Sequence, residues 1–95
     1  MSTGIDKTLF ALSDPTRRGV IELLRKKTRR AGELAEAFEM SAPAMSRHLR
    51  VLRNAGLVAE EKSTEDARAR VYRLEVAPFA VLRTWVEEQE GKKKS

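Results

Sequence analysis

Apolar residues recur at helical spacing along most of this chain. After Asp14 and Pro15, for example, Val20, Ile21 and Leu24 fall on one face of an α-helix. Asp14 is a good N-cap and Pro15 suits the first helical position, so both residues mark the start of this helix. The same reasoning predicts five helices, over residues 5–12, 15–26, 32–38, 42–55 and 78–90.

The period of the pattern changes after the fourth helix. Residues 57–62 and 69–74 are typical of two short strands joined by a polar turn, and Gly56 suits the left-handed backbone that ends a helix. Two short helices joined by a tight turn and followed by a hairpin form a helix-turn-helix with a wing. We therefore expect a mainly α fold with a small β-hairpin, a winged helix-turn-helix, with its recognition helix at about 42–55 and its wing at about 58–74.

The chain is 95 residues long, which is enough for one small domain. Residues 1–90 are predicted to form that domain, and residues 91–95 a basic disordered tail. The formal net charge of +5 favours a polyanionic partner. Three of the 19 basic residues are Lys92, Lys93 and Lys94, so 16 basic residues remain against 14 acidic ones. The placement of the charges therefore says more about the partner than their total.

Cysteine is absent and histidine occurs once. This composition excludes disulfides, thiolate chemistry and most zinc sites, and it fits a reducing compartment. The apolar stretches are too short to span a membrane, and residues 1–4 lack the features of a signal peptide. We expect a cytoplasmic protein with no membrane partner.

The fourth helix has an apolar inner face and a polar outer face. Met45, Leu49 and Leu52 recur at spacings of four and three residues and point inward. In a helix-turn-helix the start of the second helix enters the major groove, so Ser46 and Arg47 are the strongest candidates for contacts with base edges. The start of the helix and its later arginines are expected to contact phosphates. The alternative is a solvated basic face with no ligand. The predicted DNA-binding residues of this helix and its cap are Ser41, Ala42, Pro43, Ser46, Arg47, Arg50 and Arg53.

The hairpin carries further basic residues. Lys62, Arg68 and Arg70 flank a turn that also contains acidic side chains. A wing of this kind lies along the DNA backbone or in the minor groove, so these three residues complete the predicted DNA-binding set. Alternatively, Arg70 pairs with Glu60 or Glu61 across the strands.

Five segments of the chain match one family pattern in order and spacing. They are residues 12–18, 32–35, 45–52, 55–58 and 70–74, which read LSDPTRR, GELA, MSRHLRVL, AGLV and RVYRL. With them the chain resembles the ArsR/SmtB family of bacterial winged-helix repressors over nearly its whole length. The resemblance implies a homodimer formed through the first and last helices, which binds a two-fold-symmetric operator in double-stranded DNA and is released by an effector.

The first and last helices each carry a stripe of apolar residues. A chain of this size has little core left to cover both stripes. A domain this small buries only roughly 60 to 70% of the surface of its unfolded chain, and an exposed apolar surface marks an interface. The alternative is that both stripes pack onto the monomer core. Two recognition helices about a two-fold axis would reach half-sites roughly 34 to 36 Å apart, which predicts a near-palindromic operator. The predicted dimer-interface residues are Ile5, Leu9, Phe10, Phe79, Leu82, Trp85 and Val86.

The chain departs from the family pattern at the family's metal sites. Metal-sensing members carry a cysteine pair at the start of the third helix, where this chain has Arg30 and Gly32. The family's other metal site uses Asp, His and Glu on the last helix, and residues 79–90 contain no histidine. His48, the sole imidazole, is expected to border the core or to reach a backbone or phosphate group rather than to bind a metal. The chain thus resembles the metal-independent branch, with no metal cofactor and with a protein or a small molecule as the class of any effector.

These observations predict a homodimeric, sequence-specific repressor of transcription. A winged-helix module that binds protein is the alternative, because the fold alone does not exclude it. Large apolar residues in place of Ser46 and Arg47 would have favoured that alternative. An enzyme is not expected, since the sequence has no cysteine nucleophile, no Gly-rich phosphate loop and no carboxylate pair in an apolar setting.

Overall fold

The predicted winged helix-turn-helix is confirmed by a computed structural model, which describes residues 4–91. Of the predicted tail, only Gly91 belongs to the described residues, and residues 92–95 lie outside them. The elements are α1 (Gly4–Ala11), α2 (Pro15–Lys26), α3 (Ala31–Ala37), α4 (Ala42–Asn54), β1 (Val58–Lys62), β2 (Arg70–Leu74) and α5 (Ala77–Gln89). The helix-turn-helix consists of α3 and α4, and the wing consists of β1 and β2.

Local capping sets the helix boundaries. At the start of α2, a carboxylate oxygen of Asp14 accepts the backbone N–H of Arg17 at 3.0 Å, and Pro15 occupies the first turn. At the start of α4, the Ser41 hydroxyl accepts the backbone N–H of Ala44 at 3.2 Å. Such caps satisfy backbone donors that have no partner inside the helix. Both helices therefore begin where the sequence predicts.

The core lies between α2, α3, α4 and the base of the hairpin. The predicted inner face of α4 is confirmed, because Met45, Leu49 and Leu52 are at most 1% exposed. Leu34 from α3 and Val20 from α2 are fully buried beside them. Burying an aliphatic side chain of this kind stabilises the fold by about 1.5 to 3 kcal/mol. This packing fixes which face of α4 is directed away from the core.

A third segment of the chain pairs with the hairpin, and sequence reasoning missed it. Arg29, between α2 and α3, exchanges two backbone hydrogen bonds with Tyr72 of β2, at 3.2 and 2.7 Å. A one-residue bridge leaves no periodic pattern, so residues 27–30 were indistinguishable from a basic link. The bridge ties the start of the helix-turn-helix to the wing.

The last helix, α5, lies at the edge of the fold. None of its residues is buried, and it packs against α1. The described chain has a radius of gyration of 14.9 Å and extents of 50 × 25 × 24 Å, whereas a compact domain of this length has a radius of gyration of roughly 12 Å. The described chain is therefore elongated. Among residues 4–91, no helix combines the length and the apolar character that crossing a membrane requires.

Glu39 occupies a strained position in the turn between α3 and α4. Its φ is 53°, in the left-handed region, and its side chain is exposed. A residue with a Cβ loses about 1 to 2 kcal/mol there, and glycine does not. We expect Glu39→Gly to raise the free energy of unfolding by about 0.5 to 1 kcal/mol in urea denaturation, after allowing for the greater freedom of glycine in the unfolded chain. Glu39→Ala is the control, because it removes the carboxylate and keeps the Cβ. Equal stability of the two variants would show that the strain is absent.

Capping of α2 by Asp14 makes stability depend on pH. The backbone N–H of Arg17 lowers the pKa of the Asp14 carboxyl below its ordinary value of 3.8, against an opposing effect of burial. The folded state therefore holds this proton less tightly than the unfolded chain does. The contribution of the ionised cap is complete above about pH 5 and is lost as pH falls through the lowered pKa.

Asp14→Ala should therefore reduce the free energy of unfolding by about 1 kcal/mol near neutral pH. The difference from the parent protein should shrink as pH falls below about 4. Urea denaturation of both proteins across this range measures it. Asp14→Asn is the control, because asparagine caps a helix equally well and does not ionise. A difference between the parent protein and Asp14→Ala that stays constant down to about pH 3 would contradict the assignment.

Candidate nucleic-acid interface

The predicted DNA-binding residues all lie on the surface. They form two groups, one on α4 and its cap and the other on the wing, and α4 packs against β1. Burial of the apolar stripe of α4 directs the first group into solvent. All ten of the predicted residues are exposed, namely Ser41, Ala42, Pro43, Ser46, Arg47, Arg50, Arg53, Lys62, Arg68 and Arg70.

The first two turns of α4 combine small side chains with donors that suit DNA. Ala42 and Pro43 are exposed and small, so a DNA backbone or groove wall can approach the helix closely. Ser46 and Arg47 follow one turn later on the same helix. Hydroxyl and guanidinium groups at this position are of the kind that read base edges in the major groove.

Arg53, near the end of α4, already has a partner within the protein. Its guanidinium lies 3.5 Å from a carboxylate oxygen of Glu60 on β1. It also affects Tyr72 on β2: burial raises the pKa of this phenol above 10.0, the Glu60 carboxylate raises it further, and Arg53 lowers it. Arg53 therefore joins the end of α4 to the wing.

The strand register places two cations opposite each other on the wing. Lys62 at the end of β1 faces Arg70 at the start of β2. The cross-strand pairing considered for Arg70 is formed instead by Arg73, whose guanidinium donates to Glu61 at 2.9 Å and to Glu75 at 2.7 Å. These hydrogen bonds raise the pKa of Arg73. Arg70 is left exposed beside another positive charge.

Side-chain hydrogen bonds shape the turn at the tip of the wing. The Ser63 hydroxyl accepts the backbone N–H groups of Glu65 and Asp66, at 3.1 and 3.3 Å. A carboxylate oxygen of Asp66 accepts the backbone N–H of Arg68 at 3.0 Å. Turns of this type are typical of serine and aspartate. Asp66 therefore stabilises the segment that presents the Arg68 side chain.

A buried arginine joins α1, α2 and α4. Arg17 is 8% exposed, and its guanidinium donates to the carbonyl oxygens of Phe10 and Ala11, at 3.0 and 2.7 Å. Its third contact is with Nδ1 of His48 on α4, at 3.2 Å. Asp14 is close by, with Oδ2 4.0 Å from the same ring nitrogen. His48 therefore borders the core, which is one of the placements that the sequence predicts.

Sequence reasoning missed this role of Arg17, although a signal was present. Arg17 precedes Val20, Ile21 and Leu24 by three, four and seven residues. That spacing puts it on the buried face of α2. Charged residues are rarely buried unless they are paired, so the spacing alone does not predict this burial.

An apolar surface runs along α1 and α5. The exposed fraction is 63% for Phe10, 57% for Val81 and 44% for Trp85. Ile5, Val81 and Trp85 line one shallow groove between the two helices. Phe79 packs against the core. Of the predicted interface residues, the exposed ones are Leu9, Phe10, Trp85 and Val86, and the half-buried ones are Ile5, Phe79 and Leu82.

Metal-ligating side chains do not cluster in the described part of the chain. Among residues 4–91, no three His, Asp or Glu side chains are close enough together to hold a metal ion. Arg30 and Gly32, at the start of α3, offer no side-chain ligand to a transition metal.

Comparison with known proteins gives matches in sequence and in fold. The model of the family described as bacterial regulatory protein, arsR family, matches residues 14–60, from the cap of α2 into β1. The HTH-type transcriptional regulator Rv2034 of Mycobacterium tuberculosis is 40% identical over 79 residues, which cover 83% of this chain and 71% of that protein. The transcriptional repressor SdpR of Bacillus subtilis is 40% identical over 52 residues, 55% of this chain and 58% of SdpR.

A solved structure matches over nearly the full length of the chain. It is the crystal structure of a protein described as an ArsR family transcriptional regulator, with a TM-score of 0.84 and 30% sequence identity. The match covers 98% of this chain and 99% of that one. The similarity therefore includes α1 and α5 as well as the helix-turn-helix and the wing.

Proposed function

Because the chain belongs to the ArsR family of bacterial regulatory proteins, we propose that it acts as a homodimeric repressor that binds a near-palindromic operator through α4 and the wing. The relatives are DNA-binding regulators of transcription, not enzymes. The observation that carries the proposal is the facing pair Lys62 and Arg70 on the wing. Like charges directly opposite each other destabilise a strand pair, and a DNA phosphate beside them offsets the repulsion.

Different residues of α4 contact the bases and the phosphates in this proposal. Ser46 and Arg47 read base edges, since they are exposed within the first half of the helix that enters the major groove. Arg50 contacts phosphate on the same exposed face, together with Arg68 on the wing. Phosphate contacts set the affinity and its salt dependence, whereas base contacts set the sequence preference.

Arg53 has a double role in this proposal. Its ion pair with Glu60 holds the end of α4 against β1, and about half of its side chain, 52%, is exposed. An exposed ion pair of this kind contributes only about 0 to 1 kcal/mol to stability. The guanidinium therefore exchanges its carboxylate partner for a phosphate at little cost when DNA is bound.

The homodimer is proposed because α5 lacks a buried face. A helix with apolar side chains gains its stability by packing, yet no residue of α5 is buried and Val81 is 57% exposed. A second copy of the chain that covers α1 and α5 removes this apolar surface from water. Two copies of α4 then address half-sites about 34 to 36 Å apart.

We expect no metal effector for this protein. The chain contains no cysteine and its one histidine is engaged with Arg17. The family's thiolate position holds Arg30 and Gly32. The proposed class of any effector is therefore a protein or a small molecule.

Replacing Arg47 should separate sequence preference from general affinity. We expect Arg47→Ala to weaken operator binding by about 1 to 3 kcal/mol and to reduce the preference for the operator over random DNA. Arg70→Ala should weaken binding to both DNAs alike and lower the slope of log affinity against log salt by about one unit. Titrations of labelled operator and random duplexes at several salt concentrations measure both quantities.

The control for these variants is Arg25→Ala on α2, outside α4 and the wing. Its guanidinium is exposed and pairs with Glu22 on the same helix. It removes the same charge and should leave the preference for the operator unchanged. Equal loss on both DNAs for Arg47→Ala would show that Arg47 does not read bases. Absence of binding to any genomic fragment would favour the protein-binding alternative.

A carboxylate on the apolar surface should disrupt the dimer. Val81 is exposed in the protomer, so Val81→Glu should leave the protomer folded while it buries an unpaired charge in the dimer. We expect the dimer dissociation constant to rise roughly 10- to 100-fold in sedimentation equilibrium, which corresponds to about 1 to 3 kcal/mol for an unsatisfied polar group. Ala37→Glu, at an exposed position on α3, is the matched control. A parent protein that stays monomeric at every concentration would refute the proposed interface.

A further inference from the structure

His48 follows Arg47 in the recognition helix but belongs to a different surface. Arg47 is exposed, whereas the His48 side chain is 21% exposed. Its Nδ1 lies 3.2 Å from Nη1 of Arg17. Arg17 in turn holds the last carbonyl oxygens of α1, those of Phe10 and Ala11. The ring therefore fastens α4 to the junction of α1 and α2.

The chemistry of the two groups fixes which atom carries the proton. A guanidinium only donates hydrogen bonds and stays charged at every pH relevant to a protein. For the contact with Arg17 to be a hydrogen bond, Nδ1 of His48 must be the acceptor, with the ring proton on Nε2. A ring that is also protonated on Nδ1 has no acceptor left for Arg17 and carries a like charge beside it.

A carboxylate that can pair with a protonated ring lies near His48. Oδ2 of Asp14 is 4.0 Å from the same Nδ1. The backbone N–H of Arg17 lowers the pKa of the Asp14 carboxyl, so that the carboxylate is ionised near neutral pH. Protonation thus replaces an acceptor for Arg17 by a donor toward Asp14. Because Asp14 is the N-cap of α2, this exchange affects the capped end of α2 as well as α4.

We propose that His48 is a positioning residue for operator recognition, and that protonation of its ring releases α4 from Arg17 and reduces the preference for the operator. This inference rests on the proposed function, since it concerns how the recognition helix is held. It makes operator recognition depend on pH through the contact of His48 with Arg17, without a contact between His48 and DNA.

Other charged groups face α4 farther along the helix. From α1, Asp6 and Lys7 line a groove beside Val51 and Asn54, which lie one to two turns beyond His48. From β1, Glu60 meets Arg53 at the end of α4. The core-facing residues of α3, Leu34 and Ala35, carry no charge. The groups that meet the ring itself in the described structure are Asp14 and Arg17.

Two substitutions at position 48 distinguish the loss of a hydrogen-bond acceptor for Arg17 from the gain of a proton by the ring. Asparagine places its Oδ1 where histidine has Nδ1, so His48→Asn keeps an acceptor for Arg17 and does not titrate. Glutamine places its amide one bond farther out, so His48→Gln has similar polarity without an acceptor at that point. Circular dichroism of both variants checks that the helices are intact.

The test compares the affinity for operator and random duplexes between about pH 8 and pH 5.5, a range that brackets the ordinary pKa of a histidine side chain and stays above that of aspartate. A positive charge added near DNA raises affinity for both duplexes, so the readout is the ratio of the two affinities. We expect the ratio for the parent protein to fall roughly tenfold as pH decreases, as for loss of one hydrogen bond to a charged group. The ratio should stay constant and high for His48→Asn, and constant and low for His48→Gln.

A second measurement does not require DNA. Nitrogen-15 NMR of the ring in the free protein should show the Nε2–H tautomer at high pH. An Nδ1–H tautomer, or a parent profile that runs parallel to that of His48→Asn, would overturn the inference and leave the proposed function intact. Failure of the parent protein to bind any DNA would instead overturn the proposed function, and with it the role of His48 in recognition.

Discussion

Arg17 places a permanent positive charge at a position that is 8% exposed, and a buried charge is tolerated only where its donors are satisfied. The carbonyl oxygens of Phe10 and Ala11, at the end of α1, accept two of its hydrogen bonds. Nδ1 of His48 lies 3.2 Å from its Nη1, and the Phe10 ring lies 5.3 Å from the guanidinium carbon. Loss of one acceptor leaves a buried donor unpaired, which costs about 1 to 3 kcal/mol. One side chain therefore determines how the end of α1, the start of α2 and the side of α4 are placed relative to each other.

The other arginines divide between those that pair with carboxylates of the protein and those that face solvent alone. Arg53 and Arg73 meet carboxylates of β1, Glu60 and Glu61, and they hold the wing together and against α4. Arg47, on the outer face of α4, is exposed. Residue type does not distinguish these roles, because each is an arginine on an amphipathic element. The distinction arises from strand register and from the packing of α4 on β1, and it decides which cations remain for DNA.

The parts of the fold that depend on local sequence could be predicted. Asp14 and Ser41 cap α2 and α4, and Gly56, with φ of 74°, follows α4 in the left-handed conformation that only glycine adopts without strain. The parts that depend on pairing between distant residues could not. The bridge at Arg29 has no periodic signal, and the cross-strand partner of Arg73 depends on the register of the hairpin. A shift of one residue in that register would move each side chain to the other face.

The first helix belongs to two surfaces at once. Its last carbonyl oxygens are held by Arg17, and its exposed Phe10 is part of the apolar surface proposed for dimerisation. In the proposed dimer, a change in the packing of α1 against the partner therefore acts on the same hydrogen bonds that hold His48 and α4. A ligand shifts such an equilibrium only by the difference between its affinities for the two arrangements. In the proposed dimer, a ligand that prefers one packing of α1 would therefore reach α4 through the contacts of Arg17, without touching the recognition helix.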